Sequence, residues 1–121
     1  MAYIEGFLVP VPESRKDEYL DMARKSAPMF TDCGATRIVE CWGDDLMKGE
    51  HTDFFGAVKA EEGENVVFSW IEYPDKQTRD EAYKKMEEHP DAQLMQEMPF
   101  DGKRIVFSGF APIFDTAGKL A

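Results

Sequence analysis

The run Asn65-Val66-Val67-Phe68-Ser69-Trp70-Ile71-Glu72-Tyr73 narrows the choice of fold more than any other stretch of the chain. It is rich in β-branched and aromatic residues, follows a polar segment containing Gly63, and stops at Pro74, so it reads as a β-strand. Successive side chains on a strand point to opposite faces. One face here carries Val66, Phe68, Trp70 and Glu72, and the other Val67, Ser69, Ile71 and Tyr73. Both are largely apolar, and a strand with two apolar faces belongs inside a sheet that is covered on both sides.

The other elements arrange themselves around it. Ala2 to Val11 reads as a first strand, closed by Pro10 and Pro12 and apolar on both faces apart from Glu5. Gly6 inside it marks a bulge or a close approach to the backbone. Glu13 to Cys33 has helical spacing, with Tyr19, Met22, Ala23, Ser26 and Phe30 along one side and Gly34 as the stop. Pro28 removes a backbone donor inside that pattern, which predicts a kink or break between Arg24 and Pro28. Thr36 to Asp44 reads as a second strand. Asp45 to Glu64 is a long polar connection with room for one helical turn or a short strand at Asp53 to Lys59. Connections of this length serve as lids, binding loops or subunit contacts. After the strand at 65–73, Asp75 caps a helix to about His89, with Ala82, Met86 and Tyr83 turned inward. Pro90 opens a short helix through Met98. Asp101-Gly102 marks a turn, Arg104 to Phe114 a fourth strand whose Pro112 suits an edge, and the tail after Asp115 is expected to fray.

The order β-α-β-β-α-β is that of the α+β, ferredoxin-like class: a four-stranded antiparallel sheet, first and third strands central, two helices on one face. The helices cover only one apolar face. A second copy of the same sheet is the simplest cover for the other, because most oligomers are symmetric homo-oligomers. The expected architecture is therefore a dimeric α/β barrel, with residues 1–121 forming a single domain.

Composition bounds the partners. A net charge of −10 repels phosphate backbones and anionic lipid, so neither nucleic acid nor a membrane surface is an expected partner. No apolar run is long enough to span a bilayer, and the start of the sequence lacks the basic-then-apolar pattern of a secretory signal. Cys33 and Cys41 have no CxxC spacing and are expected to be free thiols in a cytoplasmic protein.

Several segments together resemble a known family. Gly6 to Pro12, Val39 to Asp45, Ala57 to Ala60, Glu64 to Trp70 and Met98 to Arg104 are similar to the YbaA-like family of uncharacterised bacterial proteins (domain of unknown function 1428), within the dimeric α/β-barrel superfamily. The resemblance implies the same fold as the burial argument and carries over no reaction. Pro28 departs from the family pattern, which bears on the straightness of the first helix.

Two residues are candidates for catalysis. Glu40 sits in an apolar strand on the same face as Ile38 and Trp42. If that face lies between the two sheets, the carboxylate is desolvated, its pKa rises, and it becomes a candidate general base. The alternative is a strand-end carboxylate that is solvated or paired with Arg37, Lys103 or Arg104. His51, in the long connection, is the second candidate, because the superfamily resemblance includes cofactor-free oxygenases and heme-binding enzymes that rest on one histidine. A solvated loop histidine is its plain alternative. His89 closes a helix and is expected to face its C-terminal carbonyls.

Tyr3, Trp42, Phe68 and Trp70 are candidates for lining a small-molecule pocket, or else are core or interface. Asp44-Asp45 and Glu61-Glu62 lack a third ligand at suitable spacing, so no metal site is expected, and no cofactor motif is present. Three functions stay open: a protein that binds a small molecule in the inter-sheet space of a homodimer, a cofactor-independent oxygenase or isomerase of small aromatic compounds, and a structural dimer with a filled barrel.

Overall fold

The computed structural model describes residues 2–95 and 98–117. Strands β1 (Tyr3–Pro12), β2 (Arg37–Trp42), β3 (Glu64–Tyr73) and β4 (Val106–Phe110) form one antiparallel sheet in the order β2-β3-β1-β4. The long helices α1 (Lys16–Asp32) and α3 (Lys76–Glu88) pack on one side, and a single turn, α2 (Phe54–Ala57), lies in the long connection. This is the ferredoxin-like arrangement expected from the element order. The strand at 65–73 and the first strand are its two central members.

β1 runs through both of its prolines rather than ending at them. Pro10 is paired with Val66, whose carbonyl is taken by the Gly43 N–H on the other side of β3. A residue in an antiparallel strand directs its N–H and C=O the same way. The Pro10–Val66 pair is therefore not hydrogen-bonded, and the missing donor faces the side where β4 has already ended, since β4 pairs only with Ile4 to Leu8. A proline at such a site takes no bond out of the ladder.

Helix α1 likewise runs uninterrupted through Pro28, so the expected break does not occur. Ser26 and Met29 are buried on either side of the proline, and their packing outweighs a lost bond worth about 3 kcal/mol. Gly34 ends the helix with φ +116°, as its sequence position indicated. Asp53 and Asp75 each cap a helix, accepting from the N–H groups of Gly56 and Thr78 at 2.7 Å. The fourth strand is shorter than expected, because Gly102–Arg104 forms a 3-10 turn and Pro112 falls beyond Phe110. Pro90 is followed by a 3-10 turn at Ala92–Met95; the rest of that expected helix at 96–97, and the tail at 118–121, lie outside the described residues.

Two buried clusters fill the space between sheet and helices, one around Val9, Val11, Tyr19 and Val67, the other around Cys33, Ile71, Tyr73 and Ala82. A buried ion pair ties α3 across the sheet. Glu5, only 3% exposed, accepts from Arg79 at 3.1 Å and from the Tyr83 hydroxyl, while Arg79 also donates to the Tyr3 hydroxyl at 3.1 Å. Gly109 lies opposite Glu5 on β4, and a Cβ there would run into Tyr3 and Arg79, so the pair needs a glycine above it. Glu5→Ala would leave the guanidinium with only the half-exposed Asp80 as a charged partner and should lower the unfolding free energy by up to about 3–5 kcal/mol. Urea unfolding should show a smaller loss for the double variant Glu5→Leu with Arg79→Met, which removes both charges together.

Candidate functional site

Alternation along the strands sorts the candidate residues onto two sides of the sheet. The side away from the helices carries Ile4, Gly6 and Leu8 of β1, Phe68 and Trp70 of β3, and Val106 and Phe110 of β4. Register brings them together: Leu8 faces both Phe68 and Val106, and Gly6 faces Trp70. Gly6 has no side chain, and the ring of Phe110 lies 3.3 Å from where its Cβ would be. The close approach expected at Gly6 is made by this ring.

The result is an open groove of about 480 Å³ with an almost wholly apolar lining. Phe54, from the α2 turn, walls one end and meets Phe68 edge-on at 6.2 Å, and Phe68 meets Trp70 at 5.8 Å, so the rings Phe54–Phe68–Trp70 run along the groove. The long connection thus contributes directly to this face. Asp53 caps the turn that places Phe54, and Val58 behind it is fully buried. Beyond Trp70 the groove turns polar: the indole N–H donates to Glu72 at 2.9 Å, and Arg37 reaches the same carboxylate at 3.4 Å.

The ligand-lining quartet does not assemble on one face. Phe68 and Trp70 line the groove, but Tyr3 and Trp42 lie on the helix side, Tyr3 under Arg79 and Trp42 under the Lys16 ammonium. Glu40 shares the side of Trp42. The expectation that this face lies between two sheets is therefore corrected: β2 turns Glu40 toward α1, and Arg37, Val39 and Cys41 toward the open side.

There Glu40 borders a cavity of about 110 Å³ between α1, the sheet and the segment at 98–105. Its Oε1 accepts from the hydroxyl of Tyr19, itself 6% exposed, at 2.6 Å, and its strand partner is the buried Ser69. Glu40 counts among the exposed residues because β2 is an edge strand, yet its carboxyl head is turned under the helix. Desolvation pushes the Glu40 pKa above the ordinary glutamate value, with hydrogen bonds from Tyr19 and Ser69 pulling the other way. Burial and the adjacent carboxylate push the Tyr19 phenol up in turn. None of the three cations proposed as partners forms a salt bridge with Glu40: Arg37 is engaged with Glu72 and Arg104 with Glu64 and Asp101, and among the described residues Lys103 forms none.

His51 is exposed in the long connection, and among the described residues no hydrogen bond joins it to Glu40. His89 does more than cap its own helix: its Nε2 lies 3.0 Å from Asp32 at the end of α1, and its Nδ1 accepts from the Asp91 N–H. Cys33 is buried and Cys41 exposed, both free thiols. No helix among the described residues is long and apolar enough to cross a membrane.

The sequence reading missed Tyr19 as the partner of Glu40 and Phe54, Leu8 and Phe110 as groove walls. Glycine at position 6, in a strand otherwise lined with large side chains, is the one local signal for the groove.

A family model described as "Protein of unknown function (DUF1428)" matches residues 2–102. The chain belongs to the DUF1428 family. It is similar to the uncharacterized protein YbaA of Escherichia coli K12, 55% identical over 116 residues that cover 95% of this chain and 99% of that one, and to YbaA of Shigella flexneri to the same extent. Among solved structures, a dimeric ferredoxin-like protein from an uncultured marine organism superposes with a TM-score of 0.62 at 10% identity, covering 96% of this chain and 100% of that one. That likeness is one of fold.

Within this DUF1428 chain the raised pKa of Glu40 has a definite sign. A carboxyl whose folded pKa lies above its unfolded value favours the folded state below the unfolded pKa and loses that contribution as pH rises through the folded pKa. Glu40→Gln keeps an acceptor for Tyr19 and carries no charge. It should therefore be more stable than the parent at neutral pH, with the gap closing as pH falls below the ordinary glutamate range. Thermal melts across a pH series check this, and a gap that widens toward acid would contradict it.

Proposed function

We propose that this protein is a homodimer closed through the open sheet face, holding a small apolar molecule in the groove between the two sheets. The observation that carries the reading is the groove itself. It is floored by a central strand pair, walled by Phe54, Phe68, Trp70 and Phe110, and left without cover in the single chain. Phe68 and Phe110 are 49% and 58% exposed. Leaving such rings in water forgoes roughly 25 cal/mol for each Å² that could be buried. A contiguous apolar patch of this kind marks an interaction surface. The superposed fold relative is described as dimeric, which supports a second copy as the cover.

The lining also selects the ligand. With Trp70 committed to Glu72 and the floor made of aliphatic and aromatic carbon, the groove offers shape and stacking but few polar partners. An uncharged, flat or chain-like hydrocarbon or aromatic fits it, whereas a phosphate or a sugar does not. A net charge of −10 further disfavours anionic partners.

Sedimentation velocity at micromolar concentration should show a species of about twice the 13.8 kDa chain mass. Phe68→Glu should reduce it to the monomer without unfolding it, because Phe68 is half exposed within one chain. Trp70 fluorescence should respond to a neutral aromatic probe in the dimer and not in that variant. A parent chain that sediments as a monomer would overturn the reading.

A further inference from the structure

The cavity on the helix side is separated from the open groove by the thickness of the sheet, and the two pose different chemical demands. It is small, about 110 Å³, which corresponds to on the order of three or four waters. Its walls are apolar and partly aromatic: Tyr19 and Phe100 meet edge-to-face at 5.8 Å, with Phe7, Phe30 and Ile105 around them. At its rim stands the Glu40 carboxyl, fixed by the Tyr19 hydroxyl at 2.6 Å. Among the described residues no salt bridge reaches it. Arg37 is drawn to Glu72 on the far side of the sheet, Lys16 lies over Trp42, and Arg104 is held by Glu64, Asp101 and Glu61.

A carboxylate at the rim of a cavity lined by aromatic rings, with no salt bridge of its own among the described residues, is an arrangement that can recognise a cation supplied from outside. The carboxylate provides a charge-assisted acceptor, and the ring faces attract positive charge. The size of the cavity admits a short alkyl group behind the head, and excludes an arginine-sized or polycyclic one. Position adds an entry route, because β2 is an edge strand and Glu40 is exposed along it. We propose that the Glu40–Tyr19 cavity is a binding site for a small protonated primary amine, its ammonium on the Glu40 carboxylate and its alkyl chain among Tyr19, Phe30 and Phe100. The site is independent of the open groove and does not require the dimer.

Calorimetric titration of the full chain at physiological salt with n-propylammonium chloride, 1-propanol and sodium propionate tests it. The ammonium should bind saturably with one site per chain, the isosteric alcohol about ten-fold more weakly or worse, and the carboxylate not at all. Glu40→Gln should weaken the ammonium by about ten- to hundred-fold, the loss expected for a charge-assisted hydrogen bond, while an amide correlation spectrum confirms that the variant is folded. Phe68→Glu should leave the ammonium affinity within about two-fold, although it disrupts the open face. Equal affinity for amine and alcohol, full retention in Glu40→Gln, or no saturable binding of the amine would each overturn the proposal.

Discussion

Everything in this molecule hangs on the ladder between β1 and β3. Ten residues of each strand pair in one unbroken register, from Tyr3 opposite Tyr73 to Pro12 opposite Glu64. Because side chains alternate with a period of two, that register fixes at once which residues meet the helices and which meet the open side. A slip of one residue would send Phe68 and Trp70 under α1 and bring Ser69 and Tyr73 out. The buried pair Glu5–Arg79 guards against such a slip, since the carboxylate finds the guanidinium and the Tyr83 phenol, and the guanidinium the Tyr3 phenol, only in the register observed. Arg104 plays a comparable part at the other end, holding Glu64 through two bonds of 2.6 and 2.8 Å and Lys59 through its carbonyl.

The class of fold was legible because it rests on properties the sequence displays one segment at a time. Alternation at 65–73, a cap at Asp75 and a stop at Gly34 are local signals, and each appears in the structure at the expected residue. What failed was the reading of prolines. Pro10, Pro12 and Pro28 each carry a strong local penalty, and in each case the outcome was decided by something outside the segment. For the strand it was the parity of Pro10 against Val66, and for the helix it was the packing of Ser26 and Met29.

The sites were legible in part, for a related reason. Period two states that Glu40 and Trp42 share a face, and that Phe68 and Trp70 share one, but it does not say whether those faces are the same. That depends on how β2 is paired to β3, and only the register Glu40 opposite Ser69 and Trp42 opposite Val67 decides it. Glu40 therefore lies against a helix rather than a second sheet, with a phenol as its donor. Its true partner, Tyr19, is 21 residues away and read simply as one apolar position on a helix. No sequence pattern distinguishes a phenol that packs from one that also donates.

The geometry makes β3 a partition between two chemically distinct environments. Phe68 and Trp70 present rings to a groove with almost no polar lining, while Ser69 between them presents a hydroxyl to a cavity bordered by the Glu40 carboxylate. A ligand in either place touches alternate residues of the same short stretch. Coupling between them would need β3 to shift, and β3 is the member of the sheet least free to do so, paired along β1 on one edge and along β2 on the other. Close-packed interiors move between discrete arrangements and do not deform smoothly. The rigidity that defines both sites therefore also insulates them, and a molecule bound in one should leave the affinity of the other nearly unchanged.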